Sequence, residues 1–291
     1  MSGNEKTLSE SGNFILEHLM MESKRSENKS KQHDELRSSK EYQVETSILE
    51  KTITDLIHTL RVSALAASRQ PNFTENTLLL AYFEDLVEAA LTVRLAIENG
   101  ALNSARRELR NMLEVVVNCA YVDEKKGSET FDEKVTFFKS KQVKKRNVDN
   151  VFDLPLRLLP NHKNDFGNSV RNAWVKGSNY VHPTKQRMNE KLLLREKGII
   201  IGMETLEMMK SIVADVHETC SIVVVLVFET IGPPFTGDLL VECLDEIDDW
   251  AFWKSEFVAT VDAHFDYKHE RQHRLAHHIE RRNRRIQYKI L

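Results

Sequence analysis

Four polar residues are spaced so that they form two side-by-side pairs on helices. Arg110 and Glu114 are four residues apart in RRELRNMLE, and Ser178 and His182 are four apart in GSNYVHP. Residues at i and i+4 are neighbours on one helical face. The other positions on these faces are apolar, so burying either pair is costly unless the groups satisfy each other or a ligand. This leaves two interpretations: a hydrogen-bonded cluster that fixes helix packing, or a site where His182 is an acid/base and arginine binds an anion.

Several common chemistries have no motif in the chain, which contains no Gly-rich phosphate loop, G-x-S-x-G, H-E-x-x-H or EF-hand loop. His269, His273 and His277 fall at i, i+4 and i+8 and therefore share one face of a helix. The first and third are about 12 Å apart at a rise of 1.5 Å per residue. We therefore predict no metal site and no cofactor, and we interpret the histidines as part of a solvated or RNA-facing basic helix.

The C-terminal part of the chain separates its charges. Residues 238–249 hold six acidic groups and no basic one, whereas residues 264–291 hold eight Lys/Arg, three Asp/Glu and five His. One interpretation is that the two stretches neutralise each other. The other is that the tail binds the phosphates of RNA. The candidate nucleic-acid-binding residues are Arg271, Arg274, Arg281, Arg282, Arg284 and Arg285.

Composition points to an all-α protein. Only 16 of 291 residues are Gly or Pro, well below the roughly 12% that is typical, and a sheet needs many tight turns. The net charge of −3 excludes a wholesale basic nucleic-acid binder. The longest uncharged apolar run, residues 221–228, is too short to span a membrane, and no signal peptide is visible. We expect a cytoplasmic protein without membrane contact, in which Cys119, Cys220 and Cys243 are buried free thiols.

Apolar residues recur at helical spacing along most of the chain. The pattern predicts helices over residues 42–70, 72–99, 103–121, 129–145, 165–181 and 203–230, with one or two more between 236 and 285. Asn99–Gly100 is expected to be a helix C-cap, and Gly232-Pro233-Pro234 is expected to end the long apolar helix. Residues 153–162 are predicted to form a loop on the core. Trp250, Trp253 and Phe257 are expected to pack in the core from one side of a helix.

Three segments follow from this pattern. Residues 1–40 form a polar arm that is disordered or a frayed helix, because it has too little apolar surface to fold. Residues 41–232 form a bundle of long helices with antiparallel pairs. Residues 236–291 form a C-terminal helical extension that is first acidic and then basic.

The two motifs resemble those of HEPN-like all-helical proteins, particularly helical families of bacterial defence and abortive-infection loci. The residues that carry the resemblance are 110–114, 178–183 and the Gly-rich step 198–202, within a region of 78–232. It implies a helical homodimer that acts on RNA. Catalytic members use Arg-x(4–6)-His, where His moves protons at the ribose 2′-OH and Arg stabilises the phosphorane. This chain has Lys176 at that position, and lysine lacks the planar fork that grips phosphate.

The resemblance implies a role for each candidate. His182 is the acid/base, Lys176 and Arg110 face the phosphate, Glu114 orients them, and Ser178 accompanies His182. The predicted function is an RNA-directed protein, either a metal-independent endoribonuclease or an RNA-binding component of a defence or toxin system. The alternative is a non-catalytic helical scaffold or regulator that binds a protein partner. A third interpretation is a small-molecule pocket inside the bundle.

Overall fold

A computed structural model describes residues 20–21, 23–24, 27–70, 73–139, 148–181, 188–189, 192–193 and 202–289. Within those residues the chain is helical and contains no β-strand, so the all-α class is confirmed. The helices are α1 Lys40–Ala67, α2 Phe73–Asn76, α3 Leu78–Ala81, α4 Phe83–Glu98, α5 Leu102–Lys125, α6 Phe131–Phe138, α7 Lys163–Ser178, α8 Leu206–Asp238, α9 Glu256–Ala263, α10 His269–Gln272 and α11 Leu275–Arg285. Short 3-10 turns cover Asp149–Asp153 and Ala251–Lys254, and a π-turn covers Leu239–Cys243.

Helix α8 is the centre of the bundle. Residues 221–228 are buried on every side, because α8 packs against α1 and α5 and also contacts α7 and α9. A helix that is apolar all round has to be enclosed in this way. By length and composition alone, Leu206–Cys243 is also apolar enough to cross a membrane, although 78% of its most apolar stretch is buried within the molecule.

The long apolar helix is interrupted at the predicted stop, and a second helical stretch follows it directly. Gly232 leaves the helical conformation at φ 85° and ψ 165°, but the chain resumes a helix at once and reaches Asp238. Pro233 and Pro234 are tolerated because they occupy the first turn of the resumed helix, where an N–H has no partner to lose. The Thr236 hydroxyl donates to the Phe228 carbonyl across the break. The predicted helix end is therefore confirmed at Gly232, and the second helical stretch that follows at once makes the junction a kink.

The segment predicted as one helix over 72–99 forms three helices instead. The carboxylate of Asp123 on α5 accepts the backbone N–H groups of Leu78 and Leu79 at 2.8 and 2.9 Å, which fixes a new helix start at α3. This capping contact is 45 residues away in sequence, so periodicity does not reveal it. The predicted Gly C-cap is confirmed, since Gly100 has a φ of 66° at the end of α4.

Other helix bounds differ from the predictions by a few residues. Helix α5 starts at Leu102 rather than after Asn103 or Ser104, and α7 covers Lys163–Ser178 rather than 165–181. Helix α6 covers only Phe131–Phe138 of the predicted 129–145, of which 140–145 lie outside the described residues. Residues 154–162 connect without a helix, as expected.

Two predictions about buried side chains have different outcomes. Cys119 and Cys220 are buried, but Cys243 is exposed at the end of the π-turn. Trp250, Trp253 and Phe257 are buried in the core, as expected. They do not share one helical side, however. Trp250 precedes a 3-10 turn and Trp253 lies in it, whereas Phe257 is the second residue of α9.

The described part of the polar arm is helical over residues 27–38 and docks on the core. Glu204, which is buried, receives hydrogen bonds from Arg37 at 2.8 and 3.1 Å and from the Tyr42 hydroxyl. His33 also lies 3.4 Å from this carboxylate. Glu204 is thus the anchor between the arm and the segment that leads into α8.

Candidate functional site

Helices α5 and α7 meet where the two sequence motifs lie. A Cβ on Gly177 would be 2.7 Å from Cβ of Arg110 and 3.0 Å from the backbone oxygen of Arg106, so only glycine permits this approach. Gly177 is therefore a contact point between helices. We call this α5–α7 contact, together with Asp215 and Glu218 of the adjoining helix α8, the seam. Across it, α5 and α7 bring together residues that are 60 or more positions apart in the sequence.

Glu114 is the hub of the seam. Its Oε1 accepts hydrogen bonds from Arg110 Nε at 2.9 Å and from the indole N–H of Trp174 at 2.6 Å. The Arg110 guanidinium also lies over the Trp174 ring, 4.9 Å from its centroid. The predicted Arg110–Glu114 pair is thus present, and Trp174 from α7 completes it. Trp174 was not among the predicted site residues, although at four residues before Ser178 it lies on the same face of the helix.

The second motif is described only in part. Ser178 is the last residue of α7, and its hydroxyl donates to the carbonyl of Trp174 in the same helix at 2.8 Å. His182 lies outside the described residues, as do residues 183–187 and 198–201. The structure therefore brings Arg110 and Glu114 against Trp174 and Gly177, the latter next to Ser178, and the position of His182 stays a prediction.

Lys176 lies beside α8 on the same seam. Its Nζ is 2.8 Å from Glu218 and 3.6 Å from Asp215. Burial by itself lowers the pKa of Lys176, but the two carboxylates raise it above its ordinary value. Arg106 binds the other side of Asp215, with Nε 3.2 Å from Oδ2, and it covers the Tyr180 ring.

The charges of the seam balance. Arg106, Arg110 and Lys176 provide three positive charges, and Glu114, Asp215 and Glu218 provide three negative ones. The cavity between α5, α7 and α8 at this point is only about 10 Å³, at the lower limit for one water molecule. Lys176 is the most accessible of these cations, with 54% of its side chain exposed, against 14% for Arg110.

The arginines of the C-terminal tail include two that point into the molecule. Arg271 is 1% exposed and lies 2.7 Å from Asp262, and it also donates to the carbonyls of Asp262 and Leu240. Arg282 binds Asp262 at 2.8 Å and Asp266 at 2.6 and 3.0 Å. We call Arg271, Arg282, Asp262 and Asp266 the tail cluster.

The remaining tail arginines lie nearer the surface. Arg281 binds Asp245, and Arg285 binds Asp248 and covers the Trp253 ring at 5.2 Å. Arg274 is exposed, and Arg284 has 65% of its side chain exposed, with Glu280 at 3.9 Å. Acidic residues thus neutralise four of the six tail arginines: Arg271, Arg281, Arg282 and Arg285. Two of the acidic partners, Asp262 and Asp266, lie outside the acidic stretch 238–249. Nucleic-acid binding by the tail stays a prediction.

The histidines do not form one row. Helix α10 ends at Gln272 and α11 starts at Leu275, so the helix on which His269, His273 and His277 would share a face is broken between them. Among the described residues, no group of three His, Cys, Asp or Glu side chains is arranged to hold a metal ion.

A buried histidine that the sequence reading did not single out lies in α8. His217 is fully buried, its Nε2 is 3.0 Å from the Ala251 carbonyl, and its ring stacks on Tyr288 at 4.1 Å. Burial lowers its pKa to about 4, so the ring is neutral near pH 7. It holds the chain end against the core.

A second polar region, which we call the cleft, opens beside the kink of α8. It has a volume of about 480 Å³, and its charged lining residues are Asp123, Glu124, Lys134, Arg157 and Glu229. Two segments noted in the sequence border the cleft: the loop 153–162 and the Gly232-Pro233-Pro234 step. The sequence pattern did not predict that these two segments lie next to each other.

Comparisons with protein-family models, with curated proteins and with solved structures found no match for this chain.

Proposed function

We propose that this chain is an RNA-directed helical protein that works in the HEPN-like manner, with its site at the end of α7 beside the seam. The observation that supports this proposal is the meeting of the two motifs. Arg110 and Glu114 on α5 lie against Trp174 and Gly177 on α7. Gly177 is five residues before the predicted acid/base His182.

The described geometry fits the role of Glu114 as an orienting group. A carboxylate that binds both an arginine and an indole N–H fixes the guanidinium before any substrate arrives, which is the preorganisation that charge stabilisation requires. Glu114 engages Arg110 through Nε and Nη2, and a guanidinium has five N–H donors, so other donors of Arg110 face elsewhere.

In this proposal Lys176 is the cation that a phosphate reaches first, because it is the most exposed one in the seam. His182 takes the proton from the ribose 2′-OH as that oxygen attacks phosphorus, and its protonated imidazole gives this proton to the 5′-oxygen as the P–O5′ bond breaks. The products are a 2′,3′-cyclic phosphate and a 5′-hydroxyl, and the reaction needs no metal. The resemblance also implies a homodimer, which sedimentation velocity tests.

The test is cleavage of a single-stranded RNA oligonucleotide in the presence of EDTA. We expect His182→Ala to lower the rate at least 100-fold, in line with the contribution of acid–base catalysis, and Lys176→Ala to lower it about tenfold, as loss of a phosphate contact does. His58→Ala on α1 and Lys210→Ala on α8, both exposed, are matched controls and should cleave like the parent. Equal cleavage by His182→Ala and the parent would overturn the proposal.

A second candidate function is a non-catalytic helical scaffold or regulator that binds a protein partner. The balanced charges and the 10 Å³ cavity of the seam favour it, because a neutral, closed seam fixes helix packing and attracts no polyanion. In this case Arg110→Ala lowers the melting temperature, and neither parent nor variant cleaves or binds RNA.

A further inference from the structure

One side of the cleft is lined by apolar side chains. It lies between the loop before α7, the kink of α8 and the short helix α2, and its apolar lining includes Phe73, Leu154, Leu156, Ile231 and Pro233. A volume of about 480 Å³ is within the range of small-molecule sites, which are commonly apolar with a few placed polar groups.

Four of the five charged residues in the cleft form two ion pairs. Lys134 is 3.0 Å from Asp123, and Arg157 binds Glu124 through two hydrogen bonds of 3.0 and 2.8 Å. Glu229 is different. The two cations that line the cleft, Lys134 and Arg157, pair with Asp123 and Glu124, and among the described residues no side-chain cation forms an ion pair with Glu229.

Backbone groups hold Glu229 in place. Its Oε1 accepts the N–H of Leu158 at 2.7 Å, and its Oε2 accepts the N–H of Arg157 at 2.9 Å. Each carboxylate oxygen has two lone pairs, so each can accept one more hydrogen bond. The carboxylate is therefore fixed in direction and still has acceptor capacity.

The backbone beside the cleft adopts two left-handed conformations. Leu156 has a φ of 45°, which is costly for a residue with a bulky side chain, whereas Gly232 adopts its φ of 85° without strain because it has no Cβ. Both residues line the cleft. Since the N–H bonds to Glu229 come from the two residues after Leu156, this carboxylate also holds the strained turn.

We propose that the cleft binds a small organic cation, an amine in its ammonium form on an apolar body. The ammonium group binds Glu229 and its N–H donors use the remaining lone pairs, while the apolar body lies against Leu156 and Ile231. A divalent metal fits less well, because Ca²⁺ and Mg²⁺ take six or more oxygen ligands and Glu229 is the one unpaired carboxylate among the described lining residues. This site is separate from the seam and does not depend on the proposed RNA chemistry.

The electrostatics of the cleft give the binding a pH dependence. Burial raises the pKa of Glu229 to about 7, while the two backbone N–H bonds and Arg157 lower it and Glu124 raises it. Asp123, whose pKa burial also raises, stays paired with Lys134 in the same cleft. A bound cation favours the ionised form of Glu229, so affinity for an amine should rise as pH increases through 7.

The experiment is calorimetric titration of the full chain with phenethylamine and, as the uncharged probe of the same skeleton, 2-phenylethanol. At pH 8 we expect the amine to bind at least tenfold more tightly than the alcohol. At pH 5.5, where Glu229 is protonated, this preference should fall at least fivefold. The pH comparison uses the parent protein and therefore needs no variant to fold.

Glu229→Gln supplies the second arm, with Glu246→Gln at an exposed position as the matched control. We expect Glu229→Gln to lose the preference for the amine and to keep its affinity for the alcohol, and we expect the control to behave like the parent. The proposal is wrong if the parent binds neither probe, if it binds both equally at pH 8, or if Glu229→Gln keeps the preference. RNA cleavage by His182 is measured separately, so either proposal can fail without the other.

Discussion

The seam and the cleft both place charged side chains between helices that are distant in sequence, but they balance these charges differently. In the seam, Arg106, Arg110 and Lys176 each have a carboxylate within 4.0 Å, and almost no space is left between the helices. In the cleft, Glu229 has no such cation among the described residues and faces a volume of about 480 Å³.

The difference indicates which charged groups are available to bind a ligand. A buried ion pair with matched partners fixes helix packing, and a ligand must displace one partner to reach the other. A carboxylate that is held by backbone N–H groups and faces open space needs no displacement. The charges of the tail cluster are also paired, and Arg271 is more deeply buried than the cations of the seam. We therefore expect the loss of a pair to lower the free energy of unfolding most in the tail cluster.

The largest effect is expected in the tail cluster. Arg271→Ala leaves Asp262 buried beside fewer positive charges, and breaking a buried pair in this way costs about 3–5 kcal/mol of the free energy of unfolding. Chemical denaturation measures this loss. Arg284→Ala is the matched control and should leave stability unchanged, because its side chain is 65% exposed. Equal stability of the two variants would show that the tail cluster does not hold the C-terminal extension.

The next effect belongs to the cleft and depends on pH. The pKa of Glu229 is about 7 when folded, against an ordinary 4.5, so its protonated form is favoured in the folded chain. This stabilisation is complete below pH 4.5 and is lost as pH rises through 7. Glu229→Gln cannot ionise, so its stability relative to the parent should increase over this interval, by about 3 kcal/mol at most. Urea denaturation at pH 4.5, 6 and 8 measures the trend, and a flat difference contradicts it.

A moderate effect is expected at the closest point of the seam. Gly177→Ala places a Cβ 2.7 Å from Arg110 Cβ and forces α5 and α7 apart. Overpacking of this kind costs about 1–3 kcal/mol, part of which the better helix propensity of alanine offsets. Gly127→Ala is the control, since its Cβ would meet only the Asp123 carbonyl at an ordinary 3.4 Å. Thermal unfolding of the two variants tests the seam as a close helix contact.

The smallest effect is expected at Ser178. Its hydroxyl bonds to the carbonyl of Trp174 in its own helix, so Ser178→Ala should cost about 0.5–1 kcal/mol. If the chain cleaves RNA, we expect the rate of this variant to stay within twofold of the parent. A larger loss of cleavage would show that the hydroxyl leaves its helix and joins His182.

Much of the fold follows from the sequence, while the candidate sites follow only in part. Helical spacing predicts α1, α5, α7 and α8, and i,i+4 spacing predicts the Arg110–Glu114 pair. The break of the predicted 72–99 helix is missed because Asp123, far away in sequence, caps α3. Glu229 is missed for a similar reason, since its environment is made by a loop that precedes it by 71 and 72 residues.

The sequence alone determines the all-α class, because apolar periodicity and the scarcity of Gly and Pro are local properties that each helix carries by itself. Tertiary structure decides which charges are neutralised. Whether Arg271 faces RNA or Asp262, and whether Glu229 meets a cation or an open cleft, depends on distances between segments that are remote along the chain. Coulomb interactions fall off with distance and change with burial, and neither quantity exists until the helices pack.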